Sequence, residues 1–159
     1  MRIGFSKDIH RLVEGKRLVV GGVYLPFERG CLAHSDGDVV YHALGEAILG
    51  ALALGDLGKH FPTNDPSLDG INSSIILKRI YDMMVEHDHH IINADLQIVL
   101  ERPKLKDHIM TIRNNIANIL NCDVNQISVK AGTNEGCGEI GKSEAVECSA
   151  IVLLEQNKN

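Results

Sequence analysis

Ten residues, Ala33 to His42 (A-H-S-D-G-D-V-V-Y-H), gather two histidines, two aspartates, a serine and a glycine. Imidazole nitrogens and carboxylate oxygens are metal donors, and the free N–H groups at a helix start attract anions. Ser35 with Asp38 fits the S-x-x-[DE] capping pattern, which predicts a helix starting near Asp36. His34 then sits on the loop before it, and Asp38 and His42, four apart, share one helical face. The stretch reads as a site for an anion, a metal or both.

Two other stretches carry chemistry. In Asp8-Ile9-His10 an extended chain turns the first and third side chains the same way. Alone, such a pair is more often a surface salt bridge or turn; joined by His42 it supplies three ligands of a tetrahedral site with one open position. Residues 132–142 hold four glycines in eleven positions, so backbone N–H groups can approach a ligand closely. There Thr133 offers a hydroxyl to phosphate and Glu135 a hard oxygen for Mg²⁺ or Mn²⁺. No Walker A motif occurs, nor a G-x-G-x-x-G opening a helix, so a nucleotide is not held in either standard way.

The elements that position these groups follow from periodicity. A strand runs from Arg2 into Asp8-Ile9-His10, and Arg17 to Pro26 is a hairpin turning at Gly21-Gly22. Val39 to Leu54 is a helix whose small residues (Ala43, Gly45, Ala47, Gly50, Ala51, Ala53) permit close packing. Gly55 to Pro66 is a long loop of the kind that usually has a function. Asn72 or Ser73 caps a helix buried through Ile76, Ile80, Met83, Met84 and His87; His87, His89 and His90 are read as surface. A strand with Ala94, Leu96, Ile98 and Leu100 on one face stops at Pro103. A helix from Leu105 to Leu120, buried through Ile109, Ile112, Ile116 and Ile119, stops at Asn121. Strands at Ile127–Ala131 and Ala145–Leu154 complete the chain.

Composition removes several function classes. A net charge of −5 over 159 residues argues against a nucleic-acid footprint. No run of about 18 apolar residues marks a membrane span, and M-R-I-G-F-S-K-D does not read as a signal peptide. Cys31, Cys122, Cys137 and Cys148 form no C-x-x-C pair, which suits reduced thiols in the cytoplasm.

D-I-H at 8–10, A-H-S-D-G-D-V at 33–39, L-G-D-L-G-K-H-F-P at 54–62, E-R-P-K-L at 101–105 and K-A-G-T-N-E at 130–135 follow one another over the whole chain. In order and spacing they resemble the 2-C-methyl-D-erythritol 2,4-cyclodiphosphate synthase family of the non-mevalonate isoprenoid pathway. The resemblance implies a single α+β domain over 1–159, with a small mixed sheet covered on one face by helices. Three such sheets pack around the threefold axis of a homotrimer, with active sites between subunits. It makes Asp8, His10 and His42 ligands of Zn²⁺, and His34 with Thr133 the catalytic side chains. Ser35 would orient a phosphate; Asp56, Leu57, Gly58, Phe61, Pro62, Thr63, Asn64 and Asp65 would meet the sugar and erythritol hydroxyls. The neighbouring subunit would supply a cytidine pocket from Leu100, Glu101, Arg102, Pro103, Lys104, Leu105 and Lys106. It would also supply Ala131, Gly132, Asn134 and Lys142 on the substrate, and Glu135 on Mg²⁺ or Mn²⁺. The implied reaction is attack of a 2-phosphate on a diphosphate, closing a ring and expelling CMP from a cytidine diphosphate derivative.

The chain departs from the family pattern in two places. Ser6-Lys7 replaces a glycine-aromatic pair before D-x-H, and Glu139 with Lys142 replaces an aromatic and an arginine near the trimer axis, disfavouring an isoprenoid diphosphate there. Two other readings of the same residues stay open. One is a zinc-dependent phosphohydrolase that activates water; the other is a non-catalytic trimeric metal-binding module.

Overall fold

Alternation along the first strand sets the architecture: Gly4, Ser6 and Leu12 are buried on one side, while Ile3, Phe5, Lys7 and Ile9 are exposed on the other. The computed structural model describes residues 1–157. In chain order the strands are β1 (Arg2–Glu14), β2 (Leu18–Val20), β3 (Val23–Leu25), β4 (Arg29–Cys31), β5 (His89–Val99), β6 (Ile127–Gly132) and β7 (Ala145–Gln156). The helices are α1 (Val39–Ala51), α2 (Leu57–His60), α3 (Ser73–Glu86), α4 (Ile109–Ile119) and α5 (Gly138–Gly141). Five strands form one sheet in the order β4-β1-β7-β5-β6. Only β5 and β6 run parallel, so the sheet is mixed. The fold is α+β, with the core between the helices and one face of that sheet.

Two glycines let α1 lie close to its neighbours. A Cβ on Gly4 would stand 1.9 Å from the carbonyl oxygen of Ala47, so β1 touches α1 backbone to backbone. A Cβ on Gly45 would stand 2.6 Å from Ile80, which brings α3 onto α1. That proximity is what carries His42, on α1, over the strand bearing Asp8 and His10. Gly50 meets nothing within 4 Å and takes no part in this packing.

The hairpin turns at Gly21 and Gly22 with φ of +57° and +74°, and Asn121 ends α4 with φ of +47°, both as expected. Other expectations need correction. The helix read over Val39 to Leu54, with a cap pattern that put its start near Asp36, runs from Val39 to Ala51, and its N-cap is Asp38 rather than Ser35. The Ser35 hydroxyl is engaged elsewhere, accepting from Gly37 N and contacting His42. Asp38 does not share a working face with His42. Its buried carboxylate accepts from Val40 N and Tyr41 N and reaches back to Gly21 N (2.9 Å) and Gly22 N (2.7 Å), pinning the hairpin to the start of α1. Burial pushes this carboxyl up to about 6, the N–H donors opposing.

The loop from Gly55 folds partly into α2 and a 3₁₀ turn at Pro66–Leu68, and the loop after β6 contains α5. The helix expected from Leu105 opens as a 3₁₀ turn, Lys106–His108, and Ile109 and Ile119 pack only at the core's edge. His87 and His90 are exposed, but His89 begins β5 facing inward and is buried, because it falls in phase with Ile91 across the strand. His87 likewise lies outside the buried face of α3, where Leu77 takes a place instead.

Candidate active site

Asp8 and His10 leave β1 on its helix-covered side, and His42 descends from α1 to meet them. His10 Nε2 lies 3.1 Å from His42 Nδ1, and Asp8 Oδ2 lies 3.2 Å from each of those nitrogens. A tetrahedral ion with bonds of about 2.0–2.1 Å holds its ligand atoms about 3.3–3.4 Å apart, so this near-equilateral triangle needs only slight expansion to seat one. These are the only three His, Cys, Asp or Glu side chains that converge in this way among the described residues. Burial holds the His10 imidazole below its ordinary value, Asp8 opposing and His42 adding to it, which favours the neutral ligand form. The thiols nearby do not compete for a metal. Cys31 is pushed up to about 12 and Cys148 higher still, both chiefly by burial.

The triad opens into a cavity of about 350 Å³ lined also by His34, Ser35, Leu57, Gly58, Phe61, Pro62, Thr63 and Asp65. Of the residues expected on this side, Asp56 and Asn64 are exposed and do not line it. The Asp56 carboxylate instead caps α2, accepting from Lys59 N at 2.9 Å.

A second cavity, of about 450 Å³, lies at the far end of the sheet among Leu100, Lys104, Leu105, Lys106, Ala131, Gly132 and Thr133. Here Thr133 donates to Glu135 Oε1 at 2.6 Å, and Glu135 sits in the left-handed region at φ +51°. For a non-glycine residue that conformation is uncommon and recurs where a side chain must be aimed. Glu101 accepts from Asn134 N at 3.1 Å and so ties the Pro103 loop to this one. Arg102 lies over the Phe27 ring and near Glu28, outside the cavity, and Pro103, Asn134, Glu135 and Lys142 do not line it either.

The chain matches the YgbB family over residues 1–155. A 2-C-methyl-D-erythritol 2,4-cyclodiphosphate synthase from Fusobacterium nucleatum subsp. nucleatum is 49% identical over 158 residues, 99% of each chain. The chain belongs to the YgbB family. Among solved structures in this family, the bifunctional IspDF from Campylobacter jejuni superposes with a TM-score of 0.93 at 39% identity, covering 98% of this chain and 42% of that longer one. IspF from Plasmodium falciparum, solved as a CDP complex, superposes with a TM-score of 0.86 at 38% identity, over 99% and 97% of the two chains.

Within this family fold, three residues assigned no supporting role from the sequence hold the site in place. Glu46, one turn beyond His42 on α1, accepts from Ser6 Oγ at 2.8 Å and from Leu57 N at 3.3 Å. It thereby links the ligand-bearing strand to the loop that lines the cavity, and gives the Ser6 departure a partner. Lys7, the other half of that departure, pairs with Glu147 at 2.8 Å on the opposite face. Ser73 and Asp36 stand behind His42. Ser73 had been readable only as a helix cap, a task that Asn72 performs.

Proposed function

We propose that this chain converts 4-diphosphocytidyl-2-C-methyl-D-erythritol 2-phosphate to 2-C-methyl-D-erythritol 2,4-cyclodiphosphate and CMP, as one domain. As a member of this family it is an enzyme, a phosphorus–oxygen lyase of isoprenoid biosynthesis. The observation that carries the reading is the Asp8–His10–His42 triangle opening into the cavity lined by His34, Ser35 and the 57–65 loop.

An oxygen of the 2-phosphate forms a bond to the β-phosphorus. The bond from that phosphorus to the oxygen bridging the α-phosphate breaks, and its electron pair leaves with CMP. Both partners are anions, so the step needs charge cancelled and atoms held in line rather than a protein nucleophile. Zn²⁺ on Asp8, His10 and His42, and Mg²⁺ or Mn²⁺ on Glu135, would supply the charge cancellation. The two-nitrogen, one-oxygen donor set suits zinc, and the Glu135 carboxylate, beside the Thr133 hydroxyl, suits the harder ion. The His34 imidazole and Ser35 hydroxyl hold the 2-phosphate, the backbone of the 57–65 loop fixes the erythritol, and Thr133 donates its hydroxyl to the diphosphate. Lys104 and Lys106 flank the cavity that would take cytidine against Leu100 and Leu105.

One chain does not complete this arrangement. β7 and β5 separate β1 from β6, and Ile9, Glu147, Val99 and Gly132 form one row across the sheet. Three interstrand spacings put the triad and Thr133 about 14 Å apart, too far to grip the same phosphates. A ring in which each copy lends Thr133 and Glu135 to its neighbour's triad resolves this, and we infer a homotrimer. The uncovered sheet face is suited to such packing: Ile3 is 68% and Phe5 67% exposed, with Ile151 paired opposite Phe5. On the same face Asp95 Oδ1 is buried without a hydrogen-bond partner among the described residues. The four cysteines are free thiols, in keeping with a cytoplasmic setting.

The test is turnover of the substrate with Zn²⁺ and Mg²⁺ present. CMP and the cyclic diphosphate in equal amounts are expected; inorganic phosphate as the product would make the chain a phosphohydrolase.

A further inference from the structure

Ser73 is fully buried at the first position of α3, yet its hydroxyl points away from the helix and into the back of the metal triad. Its Oγ lies 2.9 Å from His42 Nε2 and 2.5 Å from Asp36 Oδ1. The Asp36 carboxylate also accepts from Ser73 N at 3.2 Å and Asp38 N at 3.1 Å, and Asp36 N is held by Ile71 O at 3.0 Å. The segment before α1 is thus stitched to the start of α3, with the hydroxyl between them.

Proton directions follow from the chemistry of these groups. A carboxylate only accepts, so the Ser73 hydroxyl gives its single proton to Asp36. Its oxygen is then an acceptor toward His42, which calls for the imidazole proton on Nε2. Asp8 Oδ2, an acceptor 3.2 Å from the other ring nitrogen, pulls the proton the opposite way; the shorter 2.9 Å contact to the Ser73 oxygen decides it for Nε2, and Nδ1 keeps its lone pair toward Asp8 and His10. We propose that Asp36 and Ser73 are positioning residues that fix His42 in the Nε2–H tautomer and so present Nδ1 to the metal. Ser35 Oγ, 3.1 Å from the same Nε2, cannot set the tautomer by itself, because its proton is not committed to a carboxylate. A ligand imidazole held through its other ring nitrogen binds metal more tightly, typically by 10- to 100-fold.

The inference rests on the metal role of His42 but not on the identity of the reaction. Its readouts are therefore ones that turnover does not enter. In metal-free protein above the histidine titration range, ring ¹⁵N shifts of His42, assigned against His42→Ala, report the tautomer. Zinc affinity is measured by competition with a chelator. The parent is expected to show the Nε2–H form; Ser73→Ala should populate both tautomers and bind zinc about 10- to 100-fold more weakly, and Ser73→Thr should restore both readings. An Nδ1–H tautomer in the parent overturns the proposal, and that measurement stands even if Ser73→Ala does not fold. So does zinc affinity in Ser73→Ala within about twofold of the parent, or weaker binding with the tautomer unchanged.

Discussion

The two halves of the candidate site are built in opposite ways. The triad stands on the middle of the longest strand and on a helix in backbone contact with it, and its His42 imidazole is supported from behind by the buried Ser73 hydroxyl. Thr133 and Glu135 stand on an exposed loop, and Glu135 is occupied chiefly with the Thr133 hydroxyl. A tetrahedral ligand set tolerates little misplacement, so it is made within one chain from rigid elements. The phosphate-facing loop leaves its geometry to be finished by whatever docks against it. On the reading proposed above, the half with the metal ligands is complete within one chain and the other is lent to a neighbour.

Removing a member of each half separates them. His42→Ala is expected to abolish zinc retention and cut turnover about a thousandfold or more, roughly 4 kcal/mol, while the fold stays assembled. Zinc analysis of the purified variant checks this, and near-stoichiometric zinc would remove His42 from the ligand set. Glu135→Gln should cost about a hundredfold in turnover and blunt the dependence on Mg²⁺ or Mn²⁺, with zinc content unchanged. Loss of zinc in Glu135→Gln would mean that the halves are not independent and that the ions are assigned the wrong way round.

A smaller effect concerns the scaffold under the rigid half. Asp38→Ala strands the N–H groups of Gly21, Gly22, Val40 and Tyr41, and should cost about 2–4 kcal/mol of stability on the acid side of the Asp38 titration. Asp38 titrates near 3.8 in the unfolded chain and at about 6 in the fold. Between those values the native state keeps a proton that the unfolded state has released. The associated stability is complete below 3.8 and is lost as pH rises through about 6. Denaturation of parent and variant across that range should therefore show the gap between them narrowing with rising pH. A gap that widened would mean the N–H donors outweigh burial at this carboxyl.

What the sequence disclosed follows the same division. The converging triad was legible because D-x-H in a strand and a histidine on a helix are local patterns, and the glycine-rich loop, read as the phosphate side, does bring Thr133 to a cavity. The support behind the ligands was not. Ser73 and Asp36 meet across 37 positions, and Glu46 reaches Ser6 across 40, so each contact exists only once α1, α3 and β1 have packed. The helix start was misplaced by the same cause: Asp38 was read against its chain neighbours, while the glycine turn that completes its hydrogen bonding lies 16 and 17 residues away. β4, three residues with glycine at its centre, has too little alternation to register as a strand without the partner β1 supplies.

Whether the halves work across a boundary between copies is the central question, and one mixing experiment decides it. His42→Ala and Glu135→Gln chains, each nearly inactive alone, are co-expressed in equal amounts and the mixed assemblies assayed for CMP release. If each site takes its triad from one chain and Glu135 from the next, every mixed trimer contains one intact site. Random assembly should then restore about a quarter of the parent's activity. If both halves serve the same chain's substrate, every site carries a defect, and activity no higher than that of Glu135→Gln alone would contradict the account.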